Sequence, residues 1–239
     1  MKDFAINIEG LTKSFGQNFV LRDLDLQLSW GETLVVLGPN GSGKTTLIKI
    51  MSTLTKADSG VITIAGFNQD DMGQHIRRVV GVLVHDPMLY DDLSGYENLK
   101  FFGQLFGLDD IEDRIVSIAD NLRVSPWLGK RVGTLSHGLK KRLSIVRVLL
   151  HNPQILLMDE PETGLDQEAV SILDEIIESR VNDGKSVLIT THSFERGLSI
   201  GDRLAILAQG EIPYQAEVNS VSGLDSLQEI YSRFTGSKL

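Results

Sequence analysis

The chain has 239 residues, of which 41% are apolar and 23% charged, an ordinary globular composition with enough apolar material for a sizeable core. Its net charge of −9 argues against non-specific nucleic-acid binding, which needs a basic surface. The lack of cysteine excludes disulfides, thiolate metal sites and cysteine nucleophiles.

In chain order, Phe4–Glu9 and Val20–Leu28 alternate apolar and polar residues and are predicted strands, followed by a turn at Ser29-Trp30-Gly31-Glu32. Thr33–Leu37 is a continuous apolar run, the pattern of a strand buried on both faces, and it leads through a glycine-rich loop into a predicted helix from Thr45 to about Leu54. Short strands follow at Val61–Ala65 and Val79–Val84. A helical block comes next. Ser94 and Glu97 fit a capping box, Tyr96, Leu99, Phe102 and Leu105 recur at helical spacing, and so do Ile115, Ile118, Ala119 and Leu122. A third helix runs from about His137 to Leu150. Strand–helix alternation then resumes: strand Ile155–Met158, helix Gln167–Arg180 stopped by Asn182-Asp183-Gly184, and strands Ser186–Thr190 and Arg203–Ala208. The last 25 or so residues read as an amphipathic helix. This order implies an α/β fold with a mostly parallel sheet. Met1–Gly10 has no apolar leader and no run approaches about 18 apolar residues, so any span across a membrane is expected from another chain.

Gly38-Pro39-Asn40-Gly41-Ser42-Gly43-Lys44-Thr45, followed by Thr46, matches the phosphate-binding P-loop in its proper setting, after a buried strand and before a helix. Glycines let successive backbone N–H groups curl around phosphates, the helix N-terminus adds positive potential, Lys44 neutralises β/γ oxygens and the Thr45 hydroxyl is a Mg²⁺ ligand. Ile155–Met158 ends in Asp159-Glu160, which puts two carboxylates at the carboxyl edge of the sheet, where α/β proteins bind ligands. Asp159 suits Mg²⁺ held through water, and Glu160 suits the polarisation of an attacking water.

Leu135-Ser136-His137-Gly138-Leu139, opening a helix before Asp159, resembles the ABC ATPase signature, usually written Leu-Ser-Gly-Gly-Gln. Other elements follow the same family order: Thr163-Gly164-Leu165-Asp166 looks like the D-loop, His192 like the switch histidine, and Phe15 in Leu-Thr-Lys-Ser-Phe-Gly like the aromatic that stacks on adenine, with a core phenylalanine as the competing reading. The resemblance implies a P-loop NTPase with a RecA-like core, an N-terminal antiparallel β subdomain and an inserted helical subdomain at about 88–150, all within one domain over 1–239 that ends in a tail at about 212–239. It further implies ATP and Mg²⁺, a head-to-tail homodimer in which Ser136, Gly138 and Asp166 serve the nucleotide site, an integral membrane permease, no nucleic acid, and a peripheral place on the cytoplasmic face of the cell membrane.

Two departures stand out. His85-Asp86-Pro87 occupies the place of the family's glutamine, and imidazole is a poor Mg²⁺ ligand, so His85 is expected against the γ-phosphate or water, with Asp86 as an alternative oxygen donor and a permease-facing loop residue without a nucleotide role as the competing reading. His85 together with Leu135-Ser136-His137-Gly138 resembles the haem-exporter ATPases of cytochrome c maturation; polysaccharide, lipid and drug exporters remain alternatives. A non-transport cassette is disfavoured by the single cassette without a long heptad run. Lys140, Lys141, Arg142 and Arg147 read as a solvated basic face of the signature helix, or as help in neutralising phosphate.

Overall fold

The computed structural model describes residues 4–236. Strands β1 (Phe4–Phe15) and β2 (Asn18–Ser29) form a hairpin, joined by β4 (Ser59–Ile64) and β5 (Phe67–Asn68) in an antiparallel sheet of order β2-β1-β4-β5. The second sheet has the order β10-β9-β3-β8-β7-β6. Its strands are β3 (Thr33–Leu37), β6 (Val80–Leu83), β7 (Ile155–Asp159), β8 (Ser186–Thr191) and β9 (Arg203–Ala208), all parallel, with β10 (Glu211–Glu217) antiparallel at the edge. Helix α1 (Lys44–Met51) follows β3, and α2 (Gln69–Val79) precedes β6. Helices α3 (Gly95–Leu105), α4 (Ile111–Asn121) and α5 (His137–Leu149) lie between β6 and β7, and α6 (Gln167–Asn182) between β7 and β8. Helix α7 (Phe194–Ile200) links β8 to β9, and α8 (Leu224–Thr235) ends the described chain.

Every residue of β3, β7 and β8 is buried, because layers cover both faces of the parallel sheet. Side-chain alternation sorts them: Leu34, Val36, Ile155 and Leu157 pack with α1 and the antiparallel sheet. Leu156, Met158, Val187 and Ile189 turn the other way onto α3–α6, while Val35 and Leu37 join Phe194, Leu227 and Tyr231 of α7 and α8. The strand order sets β8 between β3 and β7, so the loops leaving these three carboxyl ends are neighbours.

The tail differs from its sequence reading. Glu211–Glu217 forms β10 against β9, and the helix is confined to Leu224–Thr235; residues 237–239 lie outside the described chain. Helix α2 and strand β5 are additions, and α1 stops at Met51. The Ser94–Glu97 capping box forms on both sides. The basic residues of α5 require a correction. Lys141 and Arg142 are 3% and 7% exposed, so the helix carries no solvated basic face there. Arg142 is held by Asp166 at 2.7 Å to each carboxylate oxygen and by Leu122 O at 3.0 Å, while Lys140, nearer the surface, pairs with Asp91 at 2.8 Å.

His151, just past α5, stacks on Phe106 with ring centroids 3.9 Å apart, and its Nε2 lies 3.2 Å from Val80 O. The N–H on Nε2 donates to that carbonyl, leaving Nδ1 buried without a partner among the described residues. Burial pushes its pKa from 6.5 down to about 4, and Arg147 and Arg180 push the same way against the Val80 hydrogen bond. The unfolded chain therefore binds the proton first, so stability is complete above pH 6.5 and falls as pH drops towards 4. Urea unfolding at pH 7 and pH 4.5 is expected to show a loss for the parent that exceeds that of His151→Gln by on the order of 2 kcal/mol.

Candidate active site

The P-loop spans the gap from β3 to α1. Gly38, Ser42, Gly43 and Lys44 are buried, Pro39 and Thr46 half-buried, and Asn40, Gly41 and Thr45 exposed at the rim. Gly43 is the N-cap of α1 with φ 112°, a left-handed backbone that side-chain-bearing residues rarely adopt, and a Cβ there would meet Leu21 Cδ2 at 2.7 Å. No acidic residue occupies the first turn of α1, so its N–H groups face the loop uncompensated. Ser42 is 5% exposed and its hydroxyl has no hydrogen-bond partner among the described residues. An orphaned donor inside a ring of N–H groups is what an anion cradle requires.

Lys44 folds back along the loop, its Nζ donating to Gly38 O at 2.7 Å and Pro39 O at 3.1 Å, with Glu160 Oε1 4.0 Å away. Burial lowers its pKa, opposed by the charges of Glu160 and Asp159. Asp159, 5% exposed, closes β7. Its two oxygens are each held by a hydroxyl: Thr45 Oγ1 donates to Oδ2 at 2.6 Å, and Thr190 Oγ1 of β8 donates to Oδ1 at 2.6 Å. Glu160 continues the ladder by one bond, its N–H donating to Thr190 O at 2.9 Å, then turns at φ 45°. A positive φ at a glutamate is a costly conformation, and here it aims the carboxylate into the cleft. Glu160 Oε1 lies 3.4 Å from Nδ1 of His192, which leaves the end of β8 with its side chain 63% exposed.

The structure thus brings Lys44, Thr45, Asp159, Glu160 and His192 together at one edge of the sheet. Phe15 ends β1, 54% exposed, with Lys13 Nζ 5.3 Å from its ring centroid, so it is not a core residue. The remaining expected residues form a separate cluster. Ser136 caps α5, its Oγ accepting from Leu139 N at 3.4 Å. Asp166 caps α6 through Ala169 N at 2.8 Å while holding Arg142. His137 covers Gly164 so closely that a Cβ there would sit 2.5 Å from its Nδ1, and Gly138 approaches Gly164 O. His85, exposed past the end of β6, faces His137 at 6.1 Å between ring centroids.

The profile of the ABC transporter family matches residues 21–163. YdbJ of Bacillus subtilis, an uncharacterized ABC transporter ATP-binding protein, is 36% identical over 96% of this chain and 73% of its own length. The Nod factor export ATP-binding protein I of Rhizobium sp. (strain N33) is 36% identical over 88% of this chain and 70% of its own. Among solved structures, an ATP-binding subunit of an ABC transporter superposes with a TM-score of 0.89 at 26% identity, covering 96% of this chain and 99% of the other. The dimeric MJ0796 cassette of a bacterial ABC transporter gives 0.82 at 25%, covering 89% and 98%. The fold and the P-loop edge define an ATP-hydrolysing cassette. The chain belongs to the ABC transporter family, as its ATP-binding subunit.

Sequence reasoning overlooked Thr190, because threonine is ordinary in strands; the pair Thr190-Thr191 directly after the apolar run Val187–Ile189 was the available signal. Thr190→Val leaves a buried carboxylate oxygen without its donor. It is expected to lower ATP turnover about tenfold and cost about 1–3 kcal/mol in urea unfolding, while Thr190→Ser, which keeps the hydroxyl, stays near the parent in both.

Proposed function

We propose that this chain is the ATP-driven motor of an exporter, docked from the cytoplasmic face onto an integral membrane permease and working as a homodimer. The observation that carries the reading is the convergence of Lys44, Asp159, Glu160 and His192 at one sheet edge. In the reaction the P-loop amides and Lys44 hold the phosphates, Phe15 stacks on adenine, Glu160 polarises the attacking water, and His192 orients Glu160 and contacts the γ-phosphate. The hydroxyl of Thr45 and the carboxylate of Asp159 are hard oxygen donors 2.6 Å apart, a set that fits Mg²⁺. Mg²⁺ bound by these two residues would supply charge neutralisation at the phosphate oxygens.

Ser136 and Gly138, at an exposed helix N-terminus, are assigned to the partner subunit's nucleotide, in line with the dimeric cassette described above. Asp166 serves that site indirectly, by holding α5 through Arg142. His85 is assigned to the γ-phosphate side of the same junction. Among the described residues no helix is long and apolar enough to cross a membrane. Met88, Tyr90, Phe101 and Leu105 are 37%, 54%, 36% and 66% exposed on α3 and the loop before it. Tyr90 and Phe101 meet edge to face at 5.5 Å, and such a patch suits the permease. Export as the direction is supported by the Nod factor export relative. Haem as the cargo rests only on His85 and the Leu135-Ser136-His137-Gly138 segment, and lipid-like and saccharide cargoes remain alternatives to it.

Glu160→Gln keeps the side-chain shape and removes the base. It is expected to slow ATP hydrolysis at least about 100-fold while retaining ATP binding, and to form a stable dimer with ATP by light scattering. Near-parent turnover, or a strictly monomeric variant with ATP bound, contradicts this reading.

A further inference from the structure

Beside the catalytic edge lies an ion cluster, centred on the buried Arg196, that the mechanism above does not use. Glu162, two residues after Glu160, has its side chain 18% exposed and receives a hydrogen bond from the Thr191 hydroxyl through Oε1. Its Oε2 stands 3.4 Å from Arg196 Nε of α7, and among the described residues neither atom makes a hydrogen bond. Arg196, 8% exposed, is anchored from the far side by Asp174 of α6, Nη2 donating to Oδ1 at 2.7 Å and Nη1 to Oδ2 at 3.2 Å. The loop between carries the same ties: Ser193 N donates to Thr191 Oγ1 at 3.1 Å, and Arg196 N donates to Ser193 Oγ at 3.2 Å. His192 is the one residue between these two knots. From α5, the buried Lys141 feels the charges of Asp159, Glu162 and Glu160, which offset part of the lowering that burial imposes on its pKa.

We infer that Glu162 and Arg196 are positioning residues for hydrolysis: together they hold the His192 loop against the Glu160 turn, with Asp174 as the anchor. A brace meant only for stability has no need to connect these segments. This one links the residue after the Glu160-Pro161 turn to both neighbours of His192, and so fixes the distance between the two side chains that meet at 3.4 Å. The Glu162–Arg196 contact, at 3.4 Å, is about half an ångström short of a charge-assisted hydrogen bond. Closing that gap would latch the His192 loop to the segment that follows Glu160. Burial strengthens the attraction, and Asp174 keeps Arg196 compensated while the latch is open.

The inference rests on the roles given to His192 and Glu160 above, and the test separates the two. Steady-state ATP hydrolysis by the full chain is compared for the parent, Glu162→Gln, Arg196→Met, their double variant and His192→Ala, with mant-ADP affinity and thermal unfolding measured on each. Glu162→Gln and Arg196→Met are each expected to lower kcat about tenfold, with KM for ATP and mant-ADP affinity within about twofold of the parent. The double variant is expected to fall no further than the weaker single, as for residues acting as one unit. If Arg196→Met does not fold, Glu162→Gln decides alone, because it leaves Arg196 paired with Asp174. Turnover of the singles within about twofold of the parent overturns the inference, as do losses that multiply in the double variant or a fall in mant-ADP affinity matching the fall in kcat. Should His192→Ala hydrolyse ATP normally, the assignment of His192 fails first. Should it collapse while Glu162→Gln and Arg196→Met do not, the latch alone is wrong.

Discussion

The Asp159 carboxylate, gripped by one hydroxyl from each side, is the constraint on which the catalytic edge depends. Thr45 belongs to the helix after β3, Asp159 to the end of β7, and Thr190 to β8. A buried carboxylate cannot be left unpaired, so its two short hydrogen bonds determine how far the three segments protrude relative to one another. The register agrees: Asp159 pairs with Thr190 across β7–β8, and Val36 with Thr190 across β3–β8. Glu160 inherits its position from this arrangement, since its N–H bonds Thr190 O before the backbone turns.

A second layer of charge, built on two buried arginines, surrounds that edge. Arg142 joins the signature helix to Asp166 at the start of α6, and Arg196 joins α7 to α6 through Asp174. Each is an arginine, whose planar fork can bind both oxygens of a carboxylate, and such a bond resists sliding as well as separation. Helix α5, capped by Ser136, and helix α7, which follows the His192 loop, are therefore both coupled mechanically to α6, which Asp166 caps. An isolated ion pair at the surface would supply little of this.

Much of the fold was legible because its signals are local. The P-loop, the apolar runs of β3 and β7 and the Ser94–Glu97 capping box depend on residues within one turn or one strand, and the backbone obeys them. Helix α2 was overlooked although Met72, Ile76 and Val79 recur at helical spacing and Asn68 at its cap and Asp70 and Asp71 in its first turn are start signals: those three apolar residues stand among charged and polar ones, only Ile76 is fully buried, and the helix is kinked at Met72. Strand β10 was missed because it is an edge, alternating between exposed and half-buried residues, and it is a strand only through pairing with β9. The solvated reading of α5 failed for a related reason. Charge along one helix says which residues are basic, and only the packing of α6 and the loop before it says which of them face inwards.

By itself the sequence determined the chemistry: a phosphate cradle from Gly38 to Thr45, a strand ending in Asp159-Glu160, and a family order of motifs that admits one fold. Those follow from residue type and short spacing, which the chain cannot rearrange. Only the tertiary structure decided which partners the charges take. Thr190, Glu162, Arg142 and Arg196 acquire their roles from contacts at separations of 22 to 34 residues, set by the strand order and helix packing. The physical reason is that burial of a charge is unfavourable until a partner arrives, and that partner is chosen by the fold as a whole.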